Sequence, residues 1–190
     1  MDYTILVNKE HSLNKDYVPF DLVEINEPTG VKIDPSYVNR LSRVAYQAFK
    51  IMQKKAKLKG FDILIDSSYR SYEYQQKVLE NCVKIDGIEH ANKYVAKPGT
   101  SEHQTGLAID ISIRRNNEIL EATSEDDPEI KWLRHNSYKY GFILRFPKGK
   151  ESITGYSYEH WHYRYVGEDV AKIIYKNKIT LEEYIDTFIG

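Results

Sequence analysis

The sequence predicts an α+β fold, a small and largely antiparallel sheet with flanking helices, and three observations predict it. Apolar residues recur at three- and four-residue steps in several stretches. In one stretch they alternate strictly, as in a half-buried strand. The two patterns mix without the regular strand–helix alternation of a parallel α/β protein. A chain of 190 residues suffices for one packed domain and is short for two, so a single domain over residues 1–190 is expected.

The elements follow in order. Asp34-Pro35 reads as a helix cap followed by proline in the first turn, and Val38, Leu41, Ala45, Ala48 and Met52 continue an amphipathic helix. Lys54, Lys55, Lys57 and Lys59 crowd its last turns, where cations suit the dipole, and Gly60 ends it. Phe61 to Ile65 is a short strand leading into the loop Asp66-Ser67-Ser68-Tyr69-Arg70. Ser71 caps a helix running to about Val83, and a shorter helix covers Ile88 to Val95. In the next strand Leu107, Ile109, Ile111 and Ile113 point one way, and Ala108, Asp110 and Ser112 the other. Asp127-Pro128 starts a helix ending near Tyr140-Gly141. Phe142 to Phe146 and Trp161 to Val166 are two further strands. Helices begin at about Glu168 and at Thr180, where Glu183 completes a capping box.

Composition excludes several classes. A hydrophobic content of 41% and a charged content of 29% are those of an ordinary globular chain. The formal net charge of -1 gives no basis for a nucleic-acid or membrane partner, both of which leave a basic excess. The one cysteine, Cys82, excludes a disulfide within the chain and a cysteine-rich zinc site. No run approaches the roughly 18 apolar residues that span a bilayer. Residues 1–15 lack the basic and apolar regions of a signal peptide. A cytoplasmic protein is therefore expected, the alternative being an exported one whose export segment is absent. The 16 tyrosines suit half-buried surfaces and polar clefts as well as a core.

Asp110 is the first residue that points to chemistry. A carboxylate amid aliphatic neighbours is costly unless a cation or strong donors meet it, and the small Ala108 and Ser112 leave room beside it. His103 precedes it by seven residues, across Gly106, which can bend the chain from loop into strand. Further on, Tyr158-Glu159-His160-Trp161-His162 supplies more candidates. A catalytic zinc takes three protein ligands and leaves one position for water, and a carboxylate outside the ligand set removes the water's proton. His103, Asp110 and His162 would be the ligands and Glu159 the base. In a regular strand residues 159 and 162 face opposite sides, so Glu159 has to sit on the bend leading into it. His160 shares the parity of His162, and spacing alone leaves a His160/His162 pair open.

Ser101-Glu102-His103-Gln104-Thr105-Gly106-Leu107-Ala108-Ile109-Asp110 resembles the SxHxxGxAxD signature of the zinc D-alanyl-D-alanine peptidases of the VanY, VanX and VanXY type (peptidase family M15B). Glu159-His160-Trp161-His162 resembles their downstream E-x-W-H motif, and Ser67-Ser68-Tyr69-Arg70-Ser71 their arginine loop. The likeness extends through Leu6–His11, Asp16–Val23, Gly141–Pro147 and Tyr163–Gly167, nearly the whole chain in the right order. It implies the Hedgehog/D,D-peptidase-like fold, one bound zinc ion on His103, Asp110 and His162, and Glu159 as catalytic base. It makes Arg70 the group that hydrogen-bonds the scissile carbonyl and its oxyanion. Ser101 and Gln75 match positions that hold the terminal D-alanine carboxylate or nearby amides, and Trp161 shapes the site.

One departure bears on substrate. The family's dipeptidases carry an aspartate three residues before the arginine, to pair with a free ammonium, and here that position is Ser67. The resemblance therefore implies removal of the last D-alanine from a peptidoglycan pentapeptide stem or its UDP-linked precursor, with weak dipeptidase activity through the adjacent Asp66. Two alternatives stand beside it: a phage-type endopeptidase that cuts inside the stem, and a non-catalytic zinc-bearing wall-binding module, which would not need both Arg70 and Glu159. Ser12-Leu13-Asn14-Lys15 satisfies the S-x-x-K pattern of serine D,D-peptidases, but no K-T-G accompanies it. Oligomeric state is not readable from the sequence.

Overall fold

The structure, a computed structural model, describes residues 2–26, 37–120 and 123–190. Strand β1 (Leu22–Glu24) pairs antiparallel with β2 (Arg40–Ser42), and helix α1 (Arg43–Lys57) follows directly. Next come β3 (Asp62–Ser67), α2 (Tyr72–Asp86) and α3 (Ile88–Tyr94), then β4 (Ala108–Arg115) and β5 (Glu118–Leu120). The rest is α4 (Pro128–Asn136), β6 (Phe142–Leu144), the single turn α5 (Glu151–Thr154), β7 (His162–Tyr165), α6 (Glu168–Asn177) and α7 (Leu181–Phe188).

The main sheet is antiparallel throughout, in the order β3-β4-β7-β6, with β5 also on β4. β4 is its centre. Residues 62–67 of β3 run along nearly all of it, while β7 pairs with its first three residues and β5 with its last three. The apolar face of β4 carries Ile109, Ile111 and Ile113, which pack with Ala45, Phe49, Met52 and Ala56 of α1 and with Ile130 and Leu133 of α4. All of these are essentially inaccessible, and each large side chain among them is worth about 1.5–3 kcal/mol of burial. A second cluster joins Ile143 and Val166 to Ala171 and Ile174 of α6 and to Leu181 and Tyr184 of α7.

The α+β architecture follows the sequence pattern closely. Ser71 caps α2 through its side chain, accepting from the Tyr74 amide at 3.1 Å, and the Thr180–Glu183 capping box is complete. The first helix begins later than expected. Asp34-Pro35 lies outside the described residues, and Leu41 sits in β2 rather than on a helix face. Tertiary bonds override the local periodicity there. The Ser42 amide donates to the Gly106 carbonyl at 2.8 Å and its hydroxyl to Asp21 at 2.6 Å, which holds residues 40–42 extended against β1. Among the described residues, no helix is long and apolar enough to cross a membrane.

Candidate metal centre

β4, β7 and the turn before β4 bring the three expected ligands together. His103 lies in a 3-10 turn, Glu102–Thr105, that Ser101 opens by accepting from the His103 amide at 3.4 Å. Gly106 then turns the chain into β4 with a φ of 67°, and a Cβ there would stand 2.9 Å from Leu22 and 3.1 Å from Pro19. Asp110 and His162 face each other as register partners on β4 and β7. His103 Nε2 stands 3.2 Å from Asp110 Oδ2, and His162 Nδ1 stands 3.0 Å from Asp110 Oδ1. One donor atom from each of the three lies within 4.8 Å of the others.

The remaining ring nitrogens are committed elsewhere. His103 Nδ1 donates to the Ser68 carbonyl at 2.7 Å, and His162 Nε2 meets Glu102 Oε2 at 3.3 Å. A carbonyl or carboxylate on the outer nitrogen fixes the tautomer that leaves the inner lone pair free for a metal. Two inward nitrogens and a carboxylate then converge, an arrangement that needs a positive charge between them. The Arg70 guanidinium, 2.8 Å from Asp110 Oδ2, supplies part of it. Burial opposes a charge on His162, yet its hydrogen bonds to Asp110 and Glu102 outweigh that and push it up to about 9. His103 goes the other way, lowered to about 4 by burial and by the Arg70 cation. The donor set, two imidazoles and one carboxylate, is that of a zinc site with an open position.

Glu159 lies outside the regular strand, in the turn where the His162 amide donates back to the Glu159 carbonyl at 3.3 Å. The parity difficulty is thereby removed. Its Oε2 stands 3.9 Å from His162 Nδ1. Burial raises its pKa to about 8 against the pull of His162. His160 points away, its Nε2 2.7 Å from the Thr123 carbonyl, and takes no part in the cluster.

Arg70 is held on three sides. Its Nε donates to Ser67 Oγ at 3.1 Å, one terminal nitrogen to Gln75 Oε1 at 2.9 Å, and the other to Asp110 Oδ2 at 2.8 Å. Gln75, nearly inaccessible, donates in turn to the Ala96 carbonyl at 2.8 Å. Arg70, Gln75, Ser101, Glu159 and Trp161 line one pocket with the three candidate ligands. Ser67 reaches it through Arg70.

Sequence reasoning passed over Glu102. Its Oε1 accepts from Arg145 Nε and from Arg164 at 2.7 Å each, while Oε2 faces His162. Burial alone would raise this carboxyl, but Arg145 and Arg164 outweigh it and hold the group well below the usual range. Arg145 also forms a two-armed pair with Glu182 of α7, at 2.6 and 2.9 Å. The one available signal was an acid directly before a candidate ligand histidine. Its partners lie 43 and 62 residues away.

A β-strand pair and the turn before it bring together two histidines and an aspartate, each imidazole backed by an acceptor and a second carboxylate alongside, the donor set that zinc metallopeptidases use. The family model for VanY, D-alanyl-D-alanine carboxypeptidase, matches residues 38–168, and the chain belongs to that family. It is 45% identical over 183 residues to the putative carboxypeptidase YodJ of Bacillus subtilis, covering 95% of this chain and 66% of that one. It is 35% identical over 184 residues to the bifunctional D-Ala-D-Ala dipeptidase and carboxypeptidase VanXYC of Enterococcus gallinarum, covering 95% and 92%. Among solved structures, the LdcB LD-carboxypeptidase superposes with a TM-score of 0.82 at 44% identity, covering 95% of this chain and 84% of that one. A variant of the vancomycin-resistance D,D-pentapeptidase VanY in complex with Zn(II) superposes with a TM-score of 0.81 at 34% identity, covering 97% and 99%.

Proposed function

We propose that the chain is a zinc carboxypeptidase that removes the terminal D-alanine from peptidoglycan stem peptides, including the UDP-linked pentapeptide precursor. His103, Asp110 and His162 would hold one ion, with Glu159 as base and Arg70 as the oxyanion-binding group. The observation that carries this reading is the convergence of His103 and His162 on Asp110 at 3.2 and 3.0 Å, with Glu159 and Arg70 in the same pocket. When bound, zinc supplies Lewis acidity, which polarises a carbonyl and lowers the pKa of a water to about 7.

The side chains do the rest. Glu159 takes the proton of the attacking water on a carboxylate oxygen and delivers it to the leaving amine of D-alanine. Burial, which raises this carboxyl to about 8, makes its carboxylate a stronger base for the first of these transfers than a solvated one. The Arg70 guanidinium keeps its charge at any working pH. Ser67, Gln75 and Asp110 hold it in one orientation, so little reorganisation is needed when negative charge develops on the carbonyl oxygen. Ser101 and Gln75 would receive the substrate's terminal carboxylate and amide, and Trp161 would close the side of the pocket. No covalent intermediate on the protein is required.

Ser67 separates carboxypeptidase from dipeptidase chemistry. Its hydroxyl already accepts from Arg70 and offers no carboxylate to a free ammonium. Weak dipeptidase activity would run through the adjacent Asp66, and the 35% identity to a bifunctional dipeptidase and carboxypeptidase supports it. A second reading is removal of D-alanine from a tetrapeptide stem, across an L,D rather than a D,D bond, and the 44% identity to an LD-carboxypeptidase favours it. The deciding experiment incubates the protein with pentapeptide and tetrapeptide stems and with free D-Ala-D-Ala, with and without chelator, and follows products by mass. Loss of one alanine from the pentapeptide alone supports the D,D reading, and loss from the tetrapeptide alone supports the L,D one. Scission within the stem contradicts both. Cytoplasmic action on the precursor fits the first reading and is checked by cell fractionation.

A further inference from the structure

Cys82, Asp86 and His90 form a second group of metal-ligating side chains, outside the pocket described above. Cys82 and Asp86 lie one turn apart on α2, with Sγ 3.8 Å from Oδ2. His90 would not join them in a continuous helix, where position 90 lies about 12 Å along the axis from position 82. The chain departs from that path at Gly87, which ends α2 and opens α3 with a φ of 84° and a ψ of 164°. α3 therefore turns back, and the imidazole of His90, packed against the Tyr94 ring at 4.8 Å, returns to the thiol. One donor atom from each of the three lies within 4.8 Å of the others, the spacing also met at His103, Asp110 and His162.

We propose that Cys82, Asp86 and His90 bind a divalent transition ion of the zinc class, with the remaining position open to solvent. Bonds of about 2.3 Å to sulfur and about 2.0–2.2 Å to nitrogen and oxygen hold neighbouring tetrahedral donors roughly 3.5 Å apart, close to the separation present between Cys82 and Asp86. A thiolate, an imidazole and a carboxylate suit zinc over magnesium or calcium, which take oxygen donors. Binding forms the metal–sulfur bond and releases the thiol proton to solvent, and nothing is oxidised or reduced. Asp86 and His90 are exposed and Cys82 half-buried, so an ion reaches the group without any opening of the fold.

The consequence is structural. α2 carries Gln75 and α3 ends at Tyr94, both of which line the catalytic pocket. An ion at the far end of the pair staples together the two helices that form this wall.

Titration of the full chain with cobalt(II) tests the proposal, because a cobalt–thiolate bond absorbs in the near ultraviolet and a site with only nitrogen and oxygen ligands does not. Wild-type protein is expected to take two equivalents, one of them giving the thiolate band, and added zinc to abolish the band. Cys82→Ala and His90→Ala are expected to lose the band and to weaken that equivalent at least tenfold, a loss that even an outer-shell change can cause, while keeping the other. His103→Ala is expected to keep the band. Uptake of a single equivalent without the band overturns the proposal, as does a second equivalent that persists undiminished in both Cys82→Ala and His90→Ala.

Discussion

At the scale of single residues, the site is a contest over where positive charge sits. Asp110 faces two imidazole nitrogens and the Arg70 guanidinium, and His162 keeps a proton up to about pH 9 in the absence of metal. Zinc must displace that proton, because only the neutral imidazole coordinates. The sign follows directly. Zinc affinity rises as pH rises through the range below about 9, by about tenfold per unit for one displaced proton, and levels off above it. Competition with a chromogenic chelator at several pH values measures this, and an affinity flat between neutral and alkaline pH would show that His162 holds no such proton. Glu159→Gln removes the base and leaves the ligands. Its expected loss of D-alanine release is about 10²–10⁴-fold with zinc content unchanged, read from turnover and metal analysis of the same sample.

At the scale of elements, the proposed ligand His162 is held by a buried ionic relay as well as by its strand. Glu182 of α7 pairs with Arg145 just beyond β6, Arg145 with Glu102 before β4, and Glu102 with His162 on β7. Arg164 fastens the N-terminal segment to the same carboxylate through the carbonyls of Tyr3 and Ile5. Breaking a buried pair so that one charge is left uncompensated costs about 3–5 kcal/mol. Glu182→Ala leaves Arg145 with Glu102 alone and is therefore expected to lower the stability measured in denaturant by less than that amount. Glu102→Gln keeps the shape but removes the charge behind His162, and zinc affinity is expected to fall about 10–100-fold. An affinity unchanged in Glu102→Gln would reduce Glu102 to a purely structural ion pair.

The relay also shows where sequence reasoning stops. Caps, alternation and helical periodicity are local, and the strands β3, β4, β6 and β7 and helices α2, α3, α6 and α7 were placed from them. Glu102, Arg145, Arg164 and Glu182 have no local signature, since the ion pairs among them join residues more than 30 positions apart. β5 was missed for another reason. Asn116-Asn117, with φ of 53° and 65°, forms a two-residue hairpin turn of the kind that Asn favours, but the strand after it is only three residues long. The start of α1 was misplaced because residues 40–42 are extended by pairing with β1, which no pattern in residues 34–52 announces.

At the scale of the whole molecule, the sheet serves as a frame that brings distant parts of the chain to one pocket. Arg70 follows β3, His103 precedes β4, Asp110 lies on it, and Glu159 and His162 come at the start of β7, so five groups spread over 93 positions meet across three adjacent strands. Spacing singled out His103, Asp110 and the Glu159–His162 stretch, and the resemblance to the family's motifs singled out Arg70 and chose among the histidines. Substrate choice is a property of this larger surface. Ser67→Asp places a carboxylate beside Arg70, and hydrolysis of free D-Ala-D-Ala is expected to rise relative to that of the pentapeptide stem. A ratio of the two rates unchanged by the substitution would remove position 67 from the specificity argument.

The central claim, that His103, Asp110 and His162 hold the zinc on which hydrolysis depends, is tested most directly by D-alanine release after chelation and metal return. Activity on the pentapeptide and tetrapeptide stems is predicted to vanish with chelator and to return with added zinc in the wild-type protein, and not to return in His162→Ala. Hydrolysis of either stem that persists in metal-free protein, or that zinc restores equally in His162→Ala, would contradict it.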